Sequence, residues 1–533
     1  MIFNSVEFLI FLPVVFAIYW LLKGRLRWQN AFVVVASYFF YGWWDWRFLF
    51  LIAFTSLCSY LSGIWIGKCF DLNGNFNLNG NDNEDIKVYD NLDDNLDVGD
   101  NEKNIASKDA CVPNRDGRTQ RRDACVPNCL PKRRARRIAA ANIVINLLIL
   151  GVFKYYNFFV ESFVSLFPAL NADRMLLNII LPVGISFYTF QALSYSIDVY
   201  RRKLEPTHDI VAFFAYVSFF PQLVAGPIER ATSLLPQFER KREFDYTTAV
   251  DGLRQMLWGF FKKMVVADRC AMFVDSVWSD YASQSGSTLL MAAICFTLQI
   301  YGDFSGYSDI AIGTAKLFGI SLRRNFNVPY FSRDIAEFWR RWHISLTTWF
   351  RDYLYIPLGG SRVSKAKVVR NTFIIFLVSG LWHGANWTFV AWGAYHALLF
   401  MPLILLGKNR RYTNIVAEGR MLPSLKELAQ MMLTFVLAVF GWIIFRSESI
   451  GQAGEFVAGI FCNGLLTVPQ IPGLTLVFAL VMFVVEWLNR SREHGLVVDG
   501  IRQRWIRWIV YYALVFAIIL FSHESETFIY FQF

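Results

Sequence analysis

Two histidines stand where an apolar chain should least tolerate them. His343 lies in Phe338-Trp-Arg-Arg-Trp-His-Ile-Ser345, and His383 lies in Ser379-Gly-Leu-Trp-His-Gly-Ala-Asn-Trp387. No Asp, Glu, Lys or Arg interrupts residues 371–407. An ionisable side chain inside a membrane segment is costly and marks a functional site by default. Histidine is the side chain best poised for proton transfer near neutral pH, and a positioned base contributes about 10²–10⁴-fold in rate. At about 1.5 Å per helical residue, His383 should sit roughly 20 Å beyond Arg370, well inside a bilayer. Gly384-Ala-Asn386 should break the helix there and open backbone and side chain to a cavity. His383 is then placed to take a proton from a hydroxyl. His343 is placed to orient an acceptor, hold an oxyanion or pair with His383.

A lone histidine on an apolar face is ordinarily a packed one, satisfied by a backbone carbonyl. Two of them beside Arg, Asp and Asn clusters argue for chemistry instead. His396 has no polar neighbours in sequence and reads as structural, while His208, His494 and His523 fall in loop or interface positions.

The surrounding elements must position these groups. Ile335, Phe338, Trp339, Trp342, Leu346, Trp349, Phe350, Tyr353 and Leu354 recur at three- and four-residue steps, which predicts one interfacial helix over 333–358 with His343 on its buried face. Arg340 and Arg341 on the other face suit lipid phosphates or an anionic donor. Upstream, Tyr301-Gly-Asp-Phe-Ser-Gly-Tyr-Ser-Asp309 sets Asp303 and Asp309 beside an apolar run, and Phe219-Phe-Pro-Gln-Leu-Val-Ala-Gly-Pro-Ile-Glu-Arg230 is too broken for a straight span. Together they predict a polar cavity. Candidate substrate-binding residues are Arg340, Arg341, Asn386, Asp303, Asp309 and Trp382.

The 533 residues are 55% hydrophobic and only 18% charged, against about 25% charged in a soluble protein. Uncharged runs at 9–22, 32–44, 48–66, 138–153, 175–197, 287–302, 371–407, 431–444, 471–485 and 508–522 predict roughly ten to twelve spans, some short or re-entrant. This is an all-α polytopic membrane protein. The net charge of +10 belongs to the positive-inside bias, not to nucleic acid. Lys23, Arg25 and Arg27, then 132–137, then 201–203 fall on one side if the spans alternate, with the N-terminus outside. Residues 8–22 read as a retained first span, not a cleaved signal.

Residues 71–131 differ from the rest: Asn- and Asp-rich, with Asp-Ala-Cys-Val-Pro-Asn repeated at 109–114 and 123–128. So little apolar surface does not offset ordering, and the segment reads as a flexible insert. Cys111, Cys125 and Cys129 have no histidine nearby to complete a zinc set. No P-loop, strand-linked G-x-G-x-x-G or H-E-x-x-H is present, which disfavours an ATP-driven pump, a dehydrogenase and a zincin, and Gly302-Asp-Phe-Ser-Gly306 lacks the G-x-S-x-G spacing of a nucleophile elbow.

At the Trp-Arg-Arg-Trp-His-Ile-Ser-Leu and Leu-Trp-His-Gly motifs, with Asn325-Phe-Asn-Val-Pro-Tyr330 and the stretches at 181–198, 219–230 and 301–312, the chain resembles the membrane-bound O-acyltransferase (MBOAT) family. The likeness is strongest to its alginate O-acetylation branch and covers most of 1–69 and 137–450. It implies a ring of membrane helices around a thin centre pierced by a tunnel. No cofactor is held; a thioester donor, acetyl-CoA or an acyl carrier protein, enters from the cytoplasm. The acceptor is a polysaccharide, or a periplasmic acetyltransferase partner that relays the group. The family's histidine maps onto His383 as general base and its second polar position onto His343. The implied organisation is N-terminal membrane helices at 1–69, the cytoplasmic insert at 70–136, a catalytic core at 137–450 and C-terminal membrane helices at 451–533, all in the cytoplasmic membrane. Transfer of a D-alanyl or longer acyl group is the rival within the family. A polysaccharide or donor transporter is the rival outside it, and the chain lacks the repeated halves common in transporters.

Overall fold

A computed structural model describes residues 1–71, 129–167, 175–522 and 528. The insert at 72–128, with Cys111, Cys125 and its repeat, and His523 lie outside the described residues. Among the described residues there is no strand.

The N-terminal helices are α1 (Val6–Leu21), α2 (Leu26–Gly42) and α3 (Leu49–Asp71), followed by α4 (Cys129–Leu150) and α5 (Tyr156–Leu166). A π-turn, Gly151–Tyr155, joins the last two. The middle of the chain forms α6 (Ile185–Tyr200), α7 (Ile210–Ser218), α8 (Phe220–Leu223), α9 (Ala231–Glu239), α10 (Tyr246–Phe260), α11 (Asp268–Trp278) and α12 (Gly286–Leu317). Then come α13 (Ile335–Arg341), α14 (Ile344–Phe350), α15 (Lys365–His383), α16 (Trp387–Leu405), α17 (Leu425–Arg446), α18 (Ile450–Cys462), α19 (Gly473–Leu488) and α20 (Arg504–Phe521). Six helical stretches among the described residues are long and apolar enough to cross a membrane, and three more apolar helices are shorter. The chain is an all-α, multi-pass membrane protein.

The centre is α12, 32 residues long and buried over most of its length. It packs along α10 through glycines on both helices. A Cβ on Gly259 would lie 2.6 Å from the Gly306 carbonyl oxygen, and one on Gly252 2.6 Å from that of Gly313. Small residues let membrane helices approach to backbone contact, where dispersion and polar contacts replace the absent hydrophobic drive. A second π-turn, Phe261–Ala267, links α10 to α11 and turns Lys262 and Lys263 inward. Lys262 pairs with Asp309 at 2.7 Å, and Lys263 with Asp268 at 2.7 Å and Asp303 at 2.8 Å. Charge counting left 246–278 out of the predicted spans; the helices form there because each buried cation faces carboxylates.

Three polar fixtures orient the molecule. Tyr19 Oη donates to the Phe318 carbonyl and Trp20 Nε1 to that of Leu317, so the basic end of α1 lies level with the end of α12. The Arg202 guanidinium lies 4.4 Å from the Phe70 ring centre, which joins the basic turn after α6 to the end of α3. At the opposite face, the Gly286 amide donates to the Asn463 carbonyl and Asn386 Nδ2 to that of Glu448. Two residues before Glu448, the Arg446 guanidinium lies 5.9 Å from the Phe296 ring centre, about 31 Å along α12 from Leu317, so the last turn of α15 lies at the far side.

Candidate active site

α15 ends on His383. Gly384 is extended, with φ −162°, and Asn386 accepts from the Thr388 amide to start α16. The predicted break is there, and Asn386 makes it by capping a helix; its Nδ2 is spent on the Glu448 carbonyl. The two helices clasp through glycines: a Cβ on Gly380 would lie 2.1 Å from the Phe389 carbonyl oxygen, and one on Gly393 2.3 Å from that of Phe376. That close hairpin fixes where the last turn of α15 points.

His383 is 3% exposed. Its Nδ1 lies 2.6 Å from the Ser379 carbonyl oxygen. A carbonyl only accepts, so Nδ1 carries the hydrogen and Nε2 presents the lone pair. Trp382, Trp392 and Phe445 surround the ring.

His343 is 1% exposed and sits 6.5 Å from His383, ring centre to ring centre. The single amphipathic helix predicted over 333–358 is not formed. His343 takes a left-handed backbone, φ 44°, which separates α13 from α14, and a third π-turn follows at Arg351–Tyr355. Histidine is among the few side chains enriched in that backbone region. The break lets the Asn327 amide donate to the Arg341 carbonyl and the Ile344 amide to that of Asn325, seating the 325–327 strand of chain against the site. Asn325 Oδ1 then accepts from His343 Nδ1 (3.0 Å) and from Ser345 Oγ (2.9 Å), while its Nδ2 donates to Ser308 Oγ (3.2 Å). Asn325 was not singled out as a site residue. It holds His343 in the same tautomer as His383, and His343 Nε2 has no hydrogen-bond partner among the described residues.

The other expected residues divide. Trp382 lies 5.8 Å from the His343 ring and belongs to the site. Asp309 lines a small cleft with Lys262, Tyr301, Arg324, Asn325 and Glu486; the cleft reaches Glu493 and His494, near Lys316 at the Leu317 end of α12. Asp303 is engaged by Lys263. Arg341 pairs with buried Glu337 at 2.8 Å, beside Arg333, and Arg340 donates to the Asn409 and Tyr412 carbonyls. Both arginines thus anchor the 409–414 loop, and the structure does not bring them to the histidine pair.

Three further residues approach the site. Lys154 Nζ donates to the Trp382 and His383 carbonyls at 2.7 and 2.9 Å, and Tyr155 Oη to that of Leu381 at 2.7 Å. Phe528 packs 5.8 Å from Phe304, whose ring is perpendicular to His343 at 4.7 Å. No local sequence signal marks Phe528.

Residues 200–443, which hold both histidines, Asn325 and Asn386, match the model of the membrane-bound O-acyltransferase family. Similarity extends further. A probable alginate O-acetylase AlgI of Pseudomonas aeruginosa is 36% identical over 466 residues, covering 87% of this chain and 75% of that protein. The chain belongs to the membrane-bound O-acyltransferase family. It is also 35% identical over 344 residues to a peptidoglycan O-acetyltransferase of Helicobacter pylori (60% of this chain, 63% of that one). With a teichoic acid D-alanyltransferase of Bacillus subtilis it shares 28% over 290 residues (51% and 70%). As a member of the MBOAT family, it is an O-acyltransferase.

Proposed function

We propose that this O-acyltransferase moves an acetyl group from a cytoplasmic thioester, acetyl-CoA or an acyl carrier protein, to hydroxyls of an extracytoplasmic polysaccharide. Transfer is direct or relayed by a periplasmic acetyltransferase. The enzyme works in the cytoplasmic membrane, with residues 137–450 as its catalytic core. The observation that carries this reading is the pair of buried histidines, 6.5 Å apart and each held by Nδ1, between the cleft at one face and the Asn386 turn at the other.

The donor enters through the cleft, on the side of the basic chain segments. The acceptor comes from the Asn386 side. His383 Nε2 takes the acceptor's hydroxyl proton as its oxygen attacks the thioester carbonyl carbon. The carbon–sulfur bond then breaks, and the proton passes from His383 to the leaving sulfur, so no net proton is consumed. His343, with its lone pair inside the site, positions the reacting groups. The names of the alginate and peptidoglycan relatives favour acetyl over D-alanyl.

The test is base-labile acetate on surface polysaccharide from cells carrying wild type, His383→Ala or His343→Ala. At equal protein levels, loss of a positioned base should lower acetate by about 10²-fold or more. Unchanged acetate in His383→Ala would overturn the assignment.

A further inference from the structure

We propose that Lys154 is a positioning residue for the transfer, holding the histidine-bearing end of α15 with a charge. The inference rests on the acyl-transfer reading above. Every α-helix leaves its last carbonyls without intrahelical partners, and those oxygens carry the negative end of the helix dipole. The last four carbonyls of α15 are those of Gly380 to His383, and the final three lie at the helix tip. All three are taken by two consecutive side chains, Tyr155 on the first and Lys154 on the other two. An ordinary helical turn spaces neighbours about 100° apart; Lys154 and Tyr155 converge on one helix end from the Gly151–Tyr155 π-turn. Such turns are rare and concentrate at functional sites.

Satisfying carbonyls does not by itself need a cation. A hydroxyl or amide would serve, as Tyr155 does. Yet Lys154 sits inside the apolar stretch 132–166 that is long enough to span a membrane, where holding a charge is expensive. Lys154 makes no ion pair with any carboxylate among the described residues; its other neighbour is the Trp382 ring, 6.0 Å away. Charge-assisted hydrogen bonds are about twice as strong as neutral ones. The cation therefore clamps the final turn of α15, which keeps His383 Nε2 aimed while Nδ1 stays on Ser379.

Base-labile acetate per unit of accumulated protein, measured over time after induction, decides the matter across Lys154→Arg, Lys154→Gln, Lys154→Met and His383→Ala. Arginine keeps charged donors, glutamine a neutral donor and methionine none. The arginine variant should stay within about threefold of wild type, and glutamine and methionine should fall about 10- to 100-fold, the scale of a misplaced catalytic group. Should Lys154→Met fail to accumulate, the arginine–glutamine comparison carries the test, because a merely space-filling role does not separate them. Glutamine equal to arginine, or methionine equal to wild type while His383→Ala is dead, overturns this inference alone. Acetate retained in His383→Ala overturns it together with the transfer reading.

Discussion

A buried histidine presents its lone pair to a site only if its proton sits on the other nitrogen, and here one amide side chain decides that for His343. Asn325 accepts from His343 and Ser345 through Oδ1 and donates to Ser308 through Nδ2, so its own orientation is set from both ends. Replacing it by leucine leaves His343 Nδ1 and the Ser345 hydroxyl buried without their acceptor, at about 1–3 kcal/mol each. Asn325→Leu should therefore lower acyl transfer per folded molecule and reduce thermal stability in detergent; an enzyme that loses neither would show that His343 is oriented by something else. The two histidines and Trp382 were readable from their strings alone, because ionisable groups in uncharged runs are conspicuous. Asn325 was not, since its partner lies 18 residues away across a turn. Arg340 and Arg341 misled for a related reason. Arginines on a polar face look ready for phosphate, and nothing local reveals that Glu337 and the 409–414 loop already occupy them.

Elements were legible where burial is uniform and illegible where it is compensated. The ends of α15 and α16 follow from Gly384 and Asn386, and the uncharged runs mark α1 to α3, α17, α19 and α20. The predicted run over 138–153 stops where Lys154 interrupts it, although the helical path continues through the π-turn into α5. Similarly, Lys262 and Lys263 hid a pair of buried helices. Periodicity also missed the break at His343, because one left-handed residue leaves the three- and four-residue spacing on either side intact. The compensated stretch makes a sharp prediction. Lys263→Met removes the cation between Asp268 and Asp303 at about 3–5 kcal/mol, so the protein should fail to accumulate in membranes. The glycine seam makes another: Gly306→Leu forces α12 off α10, since even a Cβ would meet the Gly259 carbonyl oxygen at 2.7 Å. That variant should show loss of monodisperse protein in detergent, and a wild-type elution profile would contradict the packing argument.

At the scale of the molecule, the site lies between two faces whose chemistry differs, and in sequence the 72–128 segment links α3 to α4. The helices it connects are fastened without it. Asn142 of α4 donates to Ser196 of α6 at 2.8 Å, Ser62 of α3 meets the same hydroxyl at 2.7 Å, and Ser59 of α3 lies 3.4 Å from Asn142 Oδ1. Hydroxyl and amide bonds of this kind hold membrane helices at about 0.6–2 kcal/mol apiece. Arg202 on Phe70 adds a further tie at the basic face. Closing a shorter loop between the same anchored ends costs less chain entropy, not more. Replacing 72–128 with a short Gly/Ser linker should therefore leave membrane accumulation unchanged and acetate transfer within about twofold of wild type, since each doubling of loop length shifts stability by only ~0.6 kcal/mol. A folded but inactive replacement would mean that the segment recruits the donor or its carrier at the basic face, next to the cleft mouth. A supply of free acetyl-CoA to inside-out vesicles of that variant would then restore transfer if carrier docking alone had been lost.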